Sequence, residues 1–241
     1  MLNRLSARQP PISSDFIPAT SYYTPTLKLS TAYHGDAIQL FHEPAAQTDG
    51  DSIVWFRLND IIATGGIFST TNYPKIDLAR GGSIDGEIDA LNHIIEIAFP
   101  EFRVEGGTLM VPSSGRLGDM ADVAYYRDMV TIIRDRVKDM LVNKKMTLEQ
   151  VKAQKPTRDY DGYYVADAAQ YSPDQFVEVV YTSLAAAIAA VNKVQDTWQA
   201  TIDAANAGDQ ATFDQLAEQA QSVDVPAMEA ALETAEPREC P

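Results

Sequence analysis

The chain has a single cysteine in 241 residues, Cys240, so it can form neither an intramolecular disulfide nor a thiolate metal cluster. A thiol there can only link one chain to another. Histidine is nearly as scarce, with His34, His42 and His93 isolated from one another and no pair at a spacing that sets two ligands on one face. Cations are also few: 19 Lys and Arg stand against 34 Asp and Glu and are scattered, so the formal charge of −15 repels phosphate backbones and anionic lipid. No nucleic-acid partner is expected. No apolar run approaches bilayer length and the opening M-L-N-R-L-S-A-R-Q-P-P carries no apolar signal segment, so a soluble chain with no membrane span and no signal peptide is expected. Ser113 and Ser114 lack a G-x-S-x-G elbow and a base, and read as loop serines. Asp36, Asp49, Asp51 and Asp77 lack the alternate spacing and distant Glu of a calcium loop.

What is present is best organised from Gly106 to Leu141. Thr108 to Val111 form a β-prone run between Gly and Pro, and Asp119 stands at an N-cap position before Val123, Tyr126, Val130, Ile133, Val137 and Met140. Steps of three and four put that series on one helix stripe facing a core. The polar loop Pro112 to Gly118 between them lies at the carboxyl end of a strand, where α/β folds expose chemistry. Earlier, Ala37 to Phe41, Ser52 to Arg57 and Asp60 to Thr64 read as successive strands. Ser83 caps a helix with a core face at Ile84, Ile88, Leu91, Ile95 and Ala98, which leaves His93 off the stripe and solvated. Thr147 to Gln150 is a capping box opening a short helix that Pro156 ends, and Ser172-Pro173-Asp174-Gln175 starts a helix running to about Asn206. Residues 1–30 are expected as an extended segment, 31–184 as one domain and 185–241 as a helical appendage, with further amphipathic pieces around Phe213 and Met228.

The segment P-S-S-G-R-L-G-D-M-A-D-V with Y-R-D-M-V-T-I-I-R-D-R-V resembles the second half of metallo-β-lactamase-fold hydrolases. Two more segments carry the resemblance: Pro44-Ala45-Ala46-Gln47-Thr48-Asp49-Gly50-Asp51-Ser52 is similar to the family's third metal-ligand loop, and Thr64-Gly65-Gly66-Ile67-Phe68 with Tyr73-Pro74 is similar to its bridging-ligand strand. It spans roughly Leu2 to Leu184. The resemblance implies an α/β (α+β) fold, a partial metallo-β-lactamase-like αββα sandwich with a C-terminal helical appendage. It also implies that Gln47, Gly66 and Ser114 stand where the family has histidine, aspartate and histidine ligands. The family's H-x-H-x-D-H motif is not found, as though the chain begins just downstream of it.

On this reading Gln47, Asp49, Gly66, Tyr73, Ser114 and Arg116 line a vestigial pocket with no metal ligand and no catalytic residue. None of these side chains lowers the pKa of water, about 15.7, to near neutrality as a bound metal does. The expectation is a degenerate, non-catalytic protein acting as a structural or interaction subunit with no cofactor. Its sheet, lacking the family's amino-terminal half, would be covered at the open edge and apolar face by association of the chain with itself or with another protein subunit. The alternative is a metal-dependent hydrolase with zinc, completed by a partner chain or a missing N-terminal half.

Overall fold

The computed structural model describes residues 26–33, 36–99, 107–165 and 171–207. The expected extended segment before Thr26, His34, the pieces around Phe213 and Met228, and Cys240 lie outside the described residues.

Four short β-prone runs, Thr26–Tyr33 (β1), Asp36–Glu43 (β2), Asp51–Phe56 (β3) and Ile61–Gly65 (β4), pair as an antiparallel meander. A crossover through the helix Ile84–Ile97 (α1) then brings Leu109–Pro112 (β5) alongside β4 in parallel, giving the order β1-β2-β3-β4-β5. Met120–Val142 (α2), Leu148–Gln154 (α3) and Pro173–Ala207 (α4) follow.

Hydrogen-bonded caps start the helices where the sequence places them. The Ser83 hydroxyl accepts from Gly86 N, and Asp119–Asp122 and Thr147–Gln150 form reciprocal capping boxes. Ser172 and Gln175 likewise bond each other's backbone N–H. Each such cap stabilises its helix by about 1 kcal/mol. Ser183 of α4 adds a second acceptor at the start of α1, taking a bond from Ile84 N at 3.1 Å.

One face of the sheet carries the core. Phe41, Ile53, Ile62 and Met110 are buried in a single cluster with Ile84, Ile88, Leu91 and Ile94 of α1 and Val123, Tyr126, Val130, Ile133 and Val137 of α2. The α1 stripe differs from expectation, running through Glu87 and Ile94, with Ile95 only partly buried. The opposite face is apolar too: the register aligns Ile38 with Phe56 and Ile61, Leu40 with Val54 and Ala63, and then Leu109 and Val111. None of these belongs to the core cluster or packs against it, and Leu109 is 38% exposed.

By length and composition Pro173–Asp203 in α4 is long and apolar enough to cross a bilayer, while one face of its first half packs into the core through Phe176, Val177, Val180 and Leu184. His93, expected to be solvated, is half-buried: its Nδ1 lies 2.7 Å from Oε1 of the buried Glu43, and its ring meets Phe41 edge-on at 4.8 Å. The Glu43 hydrogen bond raises the imidazole pKa above its ordinary value, against the opposing effect of partial burial. Because the folded value is raised, the pair's stabilisation is complete below the unfolded pKa of about 6.5 and is lost as pH rises through the folded value. Glu43→Gln is expected to flatten the fall in Tm above that pH. Thermal melts across the neutral range check this, and an unchanged slope would remove the pair from the account.

Candidate functional site

Three connections meet at one end of the sheet. The β2–β3 turn (44–50) and the segments after β4 (66–72) and after β5 (113–118) are neighbours because β3 runs antiparallel to β4, and β5 runs parallel to it. Ser113 N donates to Gly65 O at 2.9 Å and joins the latter two.

The first turn is clamped onto the start of α1. Ser83 N lies 2.9 Å from Ala45 O and 3.1 Å from Ala46 O, Asp77 N donates to Gln47 O at 2.8 Å, and Asp49 N donates to Arg80 O at 2.8 Å. A Cβ at Gly82 would overlap the Gln47 carbonyl, so only glycine lets the two backbones approach this closely. Inside the turn Thr48 N donates to Asp51 Oδ2, and the Asp49 carbonyl accepts from His42 Nε2 at 2.8 Å.

The structure brings Gln47 and Gly66 together. Gln47 Nε2 donates to Gly66 O at 2.6 Å, and Gln47 Oε1 occupies the space that a Cβ on residue 66 would need. Ser114 sits apart from this pair, on the exposed loop after β5. Its Oγ is 3.0 Å from Ser69 Oγ and accepts from Asn72 Nδ2 at 3.3 Å, while Ser69 Oγ also accepts from the N–H groups of Thr71 and Asn72. Arg116 lies on the same loop, fixed by a two-pronged ion pair to Asp122, whose carboxyl is held below its ordinary pKa chiefly by that hydrogen bond. Tyr73 points into the core, not toward these groups. It is stacked on Phe176 at 4.9 Å and donates its hydroxyl to Asp161 Oδ1 at 2.9 Å; burial and then Asp161 raise its pKa far above the usual phenol value.

Sequence reasoning missed Glu87. Its side chain is fully buried, and neither carboxylate oxygen has a hydrogen-bond partner among the described residues. Burial raises its pKa well above the ordinary carboxyl value and the Asp51 charge raises it further. The Gln47 amide offsets part of this, but its N–H is aimed at Gly66 O. The signal was available: position 87 falls on the stripe of 84, 88, 91 and 94, where an apolar residue belongs.

These residues do not fit zinc. Position 66 offers no side-chain donor, the Gln47 amide and the Ser114 hydroxyl are engaged in other bonds, and neither is an imidazole or a carboxylate. Among the described residues no group of three or more His, Cys, Asp or Glu side chains is placed to hold a metal.

No protein-family model matches the sequence, and no curated protein matches it. Solved structures do. The stereoselective inverting sec-alkylsulfatase from Pseudomonas sp. superposes with a TM-score of 0.50 at 13% identity, over 88% of this chain and 38% of that one. A double mutant of a sec-alkyl sulfatase gives a TM-score of 0.50 at 14% identity, over 89% of this chain and 37% of that one. A metallo-β-lactamase from Pontibacter korlensis gives 0.37 at 14% identity, over 47% of this chain and 49% of that one. The likeness shows part of the metallo-β-lactamase fold, and the chain spans under two fifths of the sulfatase structures.

Two outcomes follow from this geometry. Gly66→Ala is expected to destabilise the chain by about 1–2 kcal/mol through displacement of Gln47 and loss of its bond, and by less when Gln47→Ala has already emptied the space. A denaturant double-mutant cycle reads the coupling, and strict additivity would rule the mutual fit out. Glu87→Met removes an unpaired buried acceptor and is expected to stabilise by about 1–3 kcal/mol at neutral pH. Because the Glu87 pKa is raised, the gain should grow as pH rises above the unfolded carboxyl value of about 4.3, so a gain that shrinks with pH would contradict the assignment.

Proposed function

We propose that this chain is a non-catalytic relative of metallo-β-lactamase-fold hydrolases that serves as a structural or interaction subunit. One observation carries the reading: the Gln47 side chain both fills the space beside Gly66 and bonds its carbonyl, so two former ligand positions now complete each other's packing. The Ser114 hydroxyl is likewise bound into a network with Ser69 and Asn72. In the fold's hydrolases a metal supplies ionised water near neutral pH, and hydrogen-bonded amide and hydroxyl groups cannot replace that. No catalytic step is derived for the chain.

A second reading is favoured by the chain's span, 37% of one sulfatase structure: a metal-dependent hydrolase completed by groups outside this chain. The two readings differ in what they expect from zinc. Purified from zinc-supplemented medium, the chain is expected to contain far less than one zinc per molecule by elemental analysis. The single changes Gln47→His and Ser114→His are expected to leave that content unchanged, because an isolated imidazole does not make a zinc site. Stoichiometric zinc surviving dialysis would replace the first reading with the second.

A further inference from the structure

We propose that the cleft between the carboxyl ends of α2 and α3 is a binding site for a small phosphate monoester with an apolar body. The inference goes beyond the subunit reading and does not depend on it, because the cleft lies far from the three loops. Arg136 on its wall stands about 24 Å along α2 from Met120, at the opposite end from the 113–118 loop.

The cations are less evenly scattered than their number along the whole chain suggests. Residues 134–158 hold eight of the 19 Lys and Arg but three of the 34 Asp and Glu, so this stretch carries +5 in a chain of −15. The ends of α2 and α3 gather part of that charge around an open cleft of about 460 Å³, a size within the range of small-ligand sites. Arg136, Lys144 and Lys155 line it, no acidic residue does, and Met140, Met146 and Pro156 form its apolar side. That side is continuous with the core, since Met140 belongs to the buried cluster and Met146 packs against it.

Helix carboxyl ends attract lysine for their own sake, which accounts for cations here but not for where two of them stand. Lys145 (φ 54°) and Lys155 (φ 49°) hold left-handed backbone, where glycine or asparagine is the usual residue. The third non-glycine residue of this kind among the described residues is Asp60, a type that tolerates the conformation. Such backbone persists where a particular side chain is needed. The Lys155 ammonium has no ion pair among the described residues, and that of Lys144 has an exposed one, to Asp139 at 2.6 Å, which a ligand displaces at little cost.

The remaining donors select the anion. A planar carboxylate is best met by a guanidinium fork, but that of Arg136 is spent on Asp159 at 2.8 Å and on the Pro156 carbonyl at 2.7 Å. What is left is the ammonium groups of Lys144 and Lys155 and the amide of Gln154, separate donors that suit the three oxygens of a phosphate. The two methionines, flexible and polarisable, accept an alkyl or aryl body beside it. The field limits its size: with charges screened over about 10 Å, a small ligand meets the local excess of cations, whereas a polyanion also meets the acidic remainder of the chain.

Amide NMR of the full chain titrated with phenyl phosphate at low salt tests this. Saturable shifts confined to residues around the cleft are expected, with one molecule per chain and a Kd of about 1 mM or tighter. Inorganic phosphate is expected to bind at least tenfold more weakly. Lys155→Gly separates a binding lysine from a merely structural one, because it removes the ammonium and relieves the backbone together: Tm is expected to hold or rise while affinity falls tenfold or more. Lys144→Ala is expected to weaken binding too, and Lys193→Gln, on α4 outside the cleft, to leave it unchanged. Absence of saturable shifts, or a Kd that Lys155→Gly does not move, overturns the proposal. So does tighter binding of phenylacetate, which would make the head group a carboxylate, or of heptaglutamate, which would make the cleft a peptide site. Zinc in the same sample defeats only the non-catalytic reading, and failure to bind phenyl phosphate defeats only this inference.

Discussion

The seating of the α1 amino terminus against the 44–50 turn is the constraint on which the rest of the structure depends. The Ser83 backbone N–H reaches the Ala45 and Ala46 carbonyls while its hydroxyl caps the helix, and Gly82 lets the backbones touch. From that seat α1 runs across the sheet, placing Ile84, Ile88, Leu91 and Ile94 over Ile53 and Ile62 and allowing β5 to return parallel to β4. It also fixes where Gln47 points, because both the carbonyl of residue 47 and the residues beside it are held by the helix approach. A one-residue slip of the turn would break four backbone bonds together, each worth about 1 kcal/mol net.

The same seat carries its own cost. Glu87 is one turn into α1, on the stripe that the seat directs inward, so its carboxyl must be buried. An ionised carboxylate without partners is far more costly there than a neutral acid, and the Asp51 charge adds to the cost. Burial therefore shifts Glu87 toward its protonated form. The polar groups of the three loops are bonded to one another: Gln47 to Gly66, Ser114 to Ser69 and Asn72, Arg116 to Asp122.

How legible this was in the sequence depended on range. Caps at Ser83, Asp119, Thr147 and Ser172 were legible because a cap is a bond across three residues, and strands β2 to β5 were legible because short apolar or alternating runs between polar turns are local. The family resemblance placed Gln47, Gly66 and Ser114 at one end of the sheet. It did not show that Gln47 fills the place of a residue 66 side chain, a fit between positions 19 residues apart. Tyr73 and His93 were misread for the same reason: their partners, Asp161 and Glu43, lie 88 and 50 residues away. Glu87 differs, since it broke a local pattern that was in plain view.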